Sequence, residues 1–94
     1  HTDAFMFSSE KTTTVELILG RLAYNILTEE YPKAAAHTSQ TDKTHWRLRL
    51  DVCSYVGIGR FVLGLFDDIV VKGDEGFKAY LKEKLKRFNE LAQQ

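Results

Sequence analysis

The nine residues His45-Trp46-Arg47-Leu48-Arg49-Leu50-Asp51-Val52-Cys53 decide the fold. Successive side chains of an extended chain point to opposite faces, so Trp46, Leu48, Leu50 and Val52 share one side and Arg47, Arg49 and Asp51 the other. A strand patterned this way lays one face on a core and turns the other to water or to a partner. Upstream, Thr13, Val15, Leu17 and Leu19 alternate with Thr12, Thr14, Glu16 and Ile18, and the β-branched enrichment predicts a second strand over Thr12 to Leu19. Ile18 makes its outer face partly apolar.

Gly20 then breaks the pattern, and Leu22, Ala23, Ile26, Leu27 and Glu30 recur at helical spacing through Tyr31, where Pro32 ends the helix. Lys33 to Thr38 is weakly patterned and reads as an edge strand, with Ser39 to Thr44 as a polar turn into the decisive strand. Beyond Ser54 and Tyr55, the residues Ile58, Phe61, Val62 and Leu65 repeat at i, i+3, i+4 and i+7, which predicts a helix over Ile58 to Phe66. Gly57, Gly59 and Gly64 weaken it, each by about 1 kcal/mol against Ala. Asp67-Asp68 turns the chain into the β-branched run Ile69-Val70-Val71-Lys72, which Gly73 closes. Asp74 is placed to cap a last helix, with Phe77, Tyr80, Leu81, Leu85, Phe88 and Leu91 as its apolar stripe.

The order strand, helix, strand, strand, helix, strand, helix predicts an α+β chain: a ferredoxin-like split βαβ (βαββαβ) with an appended C-terminal helix. Both internal helices then cover one face of a four-stranded antiparallel sheet. Trp46, Leu48, Leu50, Phe61, Leu65 and Leu81 are expected to be buried, with Leu22, Ile26 and Val62 meeting the inner strand faces. The outer face is expected to carry Glu16, Ile18, Arg47, Arg49 and Asp51.

At 94 residues the chain holds one domain, and 44% hydrophobic with 28% charged residues is ordinary globular composition. Lys plus Arg equals Asp plus Glu, 13 each, so no overall field draws the domain to nucleic acid or to an anionic membrane. Apolar runs of about four residues fall far short of the roughly 20 that a spanning helix needs. A lone Cys53 forms no internal disulfide, which points to a reducing cytoplasm. The chain starts at His1 without a signal-peptide pattern, so it reads as a piece of a longer protein. Residues 1–11, with their isolated Phe5-Met6-Phe7, form a linker or strand remnant from a preceding domain, and residues 12–94 form the domain itself.

No motif carries catalysis, a metal or a cofactor. His37 and His45 flank one hairpin, yet no Cys or carboxylate stands beside them at ligand spacing. Cys53 lacks a basic neighbour or CxxC partner and reads as a buried, inert thiol. Gly57-Ile58-Gly59 is half of a phosphate loop without the third glycine. Gly59-Arg60-Phe61-Val62 resembles part of the basic-aromatic motif of RNA-recognition domains, but the helical period puts Phe61 in the core rather than on a central strand. Acylphosphatase chemistry is excluded because neither Asn25 nor Asn89 falls where its site would be built. Arg47 and Arg49 are candidate ligand or partner contacts, together with Ile18; the plainer reading pairs the two arginines with Glu16 across the sheet. Within the last helix, the stretch from Lys78 to Arg87 has five cations, Lys78, Lys82, Lys84, Lys86 and Arg87, and one Glu83, and Lys82 and Lys86 are the candidate contacts to a nucleic-acid backbone.

From Thr13 to about Leu85 the chain resembles the C-terminal extension that follows the WYL domain in bacterial transcriptional regulators. The resemblance lies in the strand Val15-Glu16-Leu17-Ile18-Leu19, the helix end Glu29-Glu30-Tyr31-Pro32 and the strand Trp46 to Val52. The helix Ile58 to Phe66 and the closing Ile69-Val70-Val71-Lys72-Gly73 before a last helix complete it. The resemblance implies a non-catalytic dimerisation and ligand-relay domain in a homodimeric regulator. Its preceding helix-turn-helix alone would read DNA, and its WYL domain would sense a ligand. The WYL ligand-contacting residues lie outside this chain, so no site residue carries over. The alternative is a stand-alone small-molecule-binding regulatory domain of the same fold.

Overall fold

The computed structural model describes residues 12–93. The expectations for residues 1–11, including Phe5-Met6-Phe7, lie outside the described residues.

Four strands form one antiparallel sheet: β1 (Thr13–Leu19), β2 (Thr38–Asp42), β3 (His45–Val52) and β4 (Ile69–Lys72), in the order β2-β3-β1-β4. β1 lies inside the sheet, with Leu17 opposite Leu48 on β3 and Val71 on β4. α1 (Arg21–Glu30) follows β1, and α3 (Val56–Gly64) follows β3. Each strand-helix-strand half therefore brings back a strand that lies two places away in the sheet.

The alternation in β1 and β3 works as read. Val15, Leu17 and Leu19, with Leu48, Leu50 and Val52, are buried, and Ala23, Leu27, Ile58, Phe61 and Val62 close over them. The last helix, α4 (Glu75–Ala92), adds Phe77 and Leu81 to the same core. Burying a side chain such as Leu17 or Leu48 removes it from water at a gain of about 1.5–3 kcal/mol each.

Several expectations are corrected. The alanines Ala34 to Ala36 belong to no strand: Pro32 opens a one-turn helix, α2 (Pro32–Ala35), where its fixed φ suits the first helical position. Ala34 is buried there. The edge strand is the stretch expected to be a turn, Thr38–Asp42, leaving Lys43-Thr44 as the hairpin loop. An edge strand can be polar because only one of its sides is paired. α3 starts at Val56 and stops at Gly64 rather than running from Ile58 to Phe66, and Phe66 stands 65% exposed in a 3-10 turn, Phe66–Asp68. Leu65 is only half-buried, as is Trp46, which lies near the hairpin end of β3 and stacks flat on Tyr24 of α1 with ring centres 4.2 Å apart. Leu22 is exposed; Tyr24 takes the place expected for it against the core.

Of two carboxylates placed near helix starts, Asp68 and Asp74, only the first caps one. α1 begins at Gly20 with no side chain of its own to cap it, and the Asp68 carboxylate supplies the acceptor, taking the Ala23 N–H at 2.8 Å. The Gly20 N–H also donates to the Asp68 carbonyl at 2.8 Å, and a Cβ at residue 20 would collide with the Asp68 carboxylate. Glycine is therefore needed at this crossing. Asp74 does precede α4, but with φ at 36° its side chain makes no cap hydrogen bond. It accepts the Tyr55 hydroxyl instead, at 3.1 Å.

Candidate functional site

Among the described residues, no element covers the sheet face opposite the helices, and within them this face is open. Its rows follow from the register: Ser39, Arg47, Ile18 and Val70 stand side by side, then Arg49, Glu16 and Lys72, then Asp51 and Thr14. The Glu16 carboxylate sits between both arginines, with Arg47 Nε at 3.1 Å from Oε2 and Arg49 Nε at 3.7 Å from Oε1. The Thr14 hydroxyl donates to Asp51 at 2.6 Å. Three cations, Arg47, Arg49 and Lys72, meet two carboxylates, so the face keeps a small positive excess.

Of the candidate contacts, the structure brings Ile18, Arg47 and Arg49 together on this face, and the plainer pairing of both arginines with Glu16 is the arrangement found. Exposed ion pairs of this kind contribute about 0.2–1 kcal/mol. Val70 is 56% exposed beside Ile18, and together they form the apolar strip of the face. Val70 escaped the sequence reading because Ile69-Val70-Val71 has no alternation; only its pairing opposite Ile18 assigns its side. Below the strip, Thr14, His37, Arg49 and Asp51 border a shallow concavity of about 360 Å³.

The two histidines do not converge. His37 precedes β2, while His45 lies at the other end of the hairpin, its Nδ1 3.0 Å from Asp42 Oδ1. A carboxylate does therefore stand beside His45, contrary to expectation, but its work is the turn: Asp42 also accepts the Thr44 N–H at 2.8 Å. That backbone hydrogen bond, and then the one with His45, holds the Asp42 carboxyl below the usual carboxylate range. Among the described residues, no group of three His, Cys, Asp or Glu side chains is placed to hold a metal ion.

Cys53 is exposed rather than buried. It follows the end of β3 in a bend, where it borders a small hollow with Thr13, Val52, Ser54 and Tyr55. Gly59 is a packing glycine of α3, where an added Cβ would stand 2.7 Å from the Tyr80 ring of α4. Phe61 is core. Tyr55, Phe77 and Tyr80 make an aromatic cluster between α3 and α4, with ring centres 5.1 and 5.5 Å from Tyr55. Burial there, followed by the hydrogen bond to Asp74, pushes the Tyr55 hydroxyl pKa up. Lys82 and Lys86 are exposed on α4, apart from the open sheet face, and between them Lys84 lies over the Tyr80 ring at 5.4 Å.

No protein-family model, curated protein or solved structure matches this chain. Among the described residues, no helix is long and apolar enough to cross a membrane.

Proposed function

We propose that the chain is a non-catalytic C-terminal domain of a cytoplasmic bacterial regulator, following a WYL domain and a helix-turn-helix and serving dimerisation and ligand relay. In this reading the sheet is a ferredoxin-like split βαβ with an appended helix. The observation that carries the reading is the coincidence of four of the five resembling segments with elements of the fold, the helix read over Ile58 to Phe66 being displaced to Val56–Gly64. Val15 to Leu19 is most of β1, Glu29-Glu30-Tyr31-Pro32 is the break between α1 and α2, and Trp46 to Val52 is most of β3. Ile69 to Lys72 is β4, followed by α4. The open sheet face, with Ile18 and Val70 between charged rows, supports a role in contact rather than catalysis.

The decisive experiment is the coding sequence upstream of His1 together with duplex binding. The reading expects an upstream frame encoding a barrel domain and a helix-turn-helix, homodimerisation of the longer protein, and no tight duplex binding by the 94-residue chain at physiological salt. A frame that opens near His1 overturns it in favour of a stand-alone ligand-binding domain. Tight, salt-sensitive duplex binding by the chain itself, lost on Lys82→Glu and Lys86→Glu, would assign DNA contact to α4 instead.

A further inference from the structure

The two edges of the sheet are built differently. β2 has no apolar residue, and its register on β3 slips between Gln40 and Asp42; polar sequence and irregular pairing are common protections of an edge strand. β4, at the other edge, is Ile69-Val70-Val71-Lys72, β-branched except at its last residue and regular in register along β1. Among the described residues, no strand pairs with its outer side.

Which backbone groups face outward follows from one hydrogen bond. The Gly20 N–H donates to the Asp68 carbonyl, and this pair continues the register of β1 on β4. Hydrogen-bonded and non-bonded pairs alternate along an antiparallel ladder, so Val70 and Lys72 bond to Ile18 and Glu16, while the N–H and C=O of Ile69 and Val71 turn away from β1. Val70 keeps its exposed side chain on the open face beside Ile18.

We infer that β4 pairs antiparallel with β4 of a second copy of this chain across a two-fold axis at Val70, continuing the sheet from one molecule into the other. In this register Ile69 of each copy meets Val71 of the other, so the outward N–H and C=O groups of both strands are all bonded. An axis at Ile69 or at Val71 would leave one of the two without a strand partner. Val70 meets its own counterpart in a non-bonded pair, where side chains stand closest, and the apolar strip becomes a continuous row of Ile18, Val70, Val70 and Ile18. The charges beside the strand agree. Asp68 caps α1, Asp74 is held by Tyr55 and Glu75 lies 3.7 Å from Lys78, which leaves Lys72 at one end of β4 and exposed Asp67 at the other. Antiparallel order brings these unlike ends together and keeps the two Lys72 apart. This inference rests on reading the domain as a dimerising module and names the edge that does it.

The test is sedimentation of the 94-residue chain over a concentration series, with amide hydrogen exchange along β4 and far-UV circular dichroism to show that each variant is folded. The wild type is expected to self-associate as concentration rises. The Ile69 and Val71 amides should gain protection as it does, while those of Val70 and Lys72, bonded to β1, are protected throughout. Val71→Pro removes an outward N–H that β1 does not use, so it should abolish association in a folded chain. Val70→Glu and Val70→Lys should each weaken association by roughly tenfold or more, because each sets like charges opposite one another across the axis. An equimolar mixture of these two folded variants should associate again, since residue 70 then faces the opposite charge. A wild type that is monomeric at every concentration, a mixture that does not recover, or association untouched by Val71→Pro overturns the inference. Protection of the Ile69 and Val71 amides in a monomeric longer protein would give the edge to a strand of a preceding domain instead. The upstream coding sequence tests the broader reading independently: a regulator frame whose dimer Val71→Pro leaves intact removes this edge and keeps that reading.

Discussion

Asp68 shows how much of this fold can hang on one carboxylate. It receives the Ala23 N–H of α1 from a position 45 residues later in sequence, and its carbonyl receives Gly20, so it ties the end of β1 to the start of β4. Replacing Asp68 by Ala should lower stability by about 0.5–2 kcal/mol, the range for losing a helix cap, read as a lower denaturant midpoint with unchanged slope. Gly20→Ala should destabilise through the same contact, by displacing that carboxylate. Tyr55 makes a different prediction. Its hydroxyl pKa is raised above the ordinary value near 10, by burial first and then by Asp74, so the folded state favours the neutral form. The stability this contributes is complete below pH of about 10 and is lost as pH rises through the folded-state pKa. Unfolding midpoints followed into the alkaline range should fall more steeply for the wild type than for Tyr55→Phe, which has no proton to lose; equal slopes would refute the assignment.

At the scale of elements, the strands were more legible than the helices because strand faces are written in strict alternation. β3 repeats its pattern over Trp46 to Val52 and sits where it was read, and the same parity, followed one residue further, would have placed Cys53 outside. Buried thiols are common, but the local period outweighs that general preference at Cys53, which is exposed. β2 was missed because Thr38–Asp42 has no apolar residue at all: an edge strand flanked by a tight hairpin gains its place from β3's unpaired edge, a tertiary cause that local composition does not record. α3 slid toward its N-terminus because Gly64 ends it, and Phe66 fell outside although it continued the apolar count. The open face was legible in Glu16, Ile18, Arg47 and Arg49, while Val70 was hidden in a run apolar on every residue. Two substitutions separate the covered and bare halves of α4. Leu81→Ala should cost about 2–5 kcal/mol as a core truncation, whereas Phe88→Ala should change the stability of the monomeric chain by less than about 0.5 kcal/mol. A large loss from Phe88→Ala in the monomer would mean that the second half of the helix is packed after all.

For the whole molecule, the question is what the open sheet face is for. A sheet covered on one side only is stable with a polar outer face, and Glu16 with its two arginines would satisfy that need alone. Ile18 and Val70 do not: two β-branched apolar residues side by side on adjacent strands leave a hydrophobic strip in water that threonine in both places would avoid. If the strip is a contact surface in the longer regulator, charge there should be tolerated by the domain and resented by the assembly. Val70 is the sharper probe, being the more exposed of the two, and Ile18→Glu is the companion that also tests the Arg47 row. In the 94-residue chain, Val70→Glu should shift stability by no more than about 0.5 kcal/mol, since the side chain points to solvent and Lys72 lies two residues along the same face. In the longer protein, Val70→Glu and Ile18→Glu should each weaken homodimerisation, measured by sedimentation, with a corresponding loss of duplex binding by the helix-turn-helix. Full dimerisation and duplex binding by both variants would release the strip from any contact role.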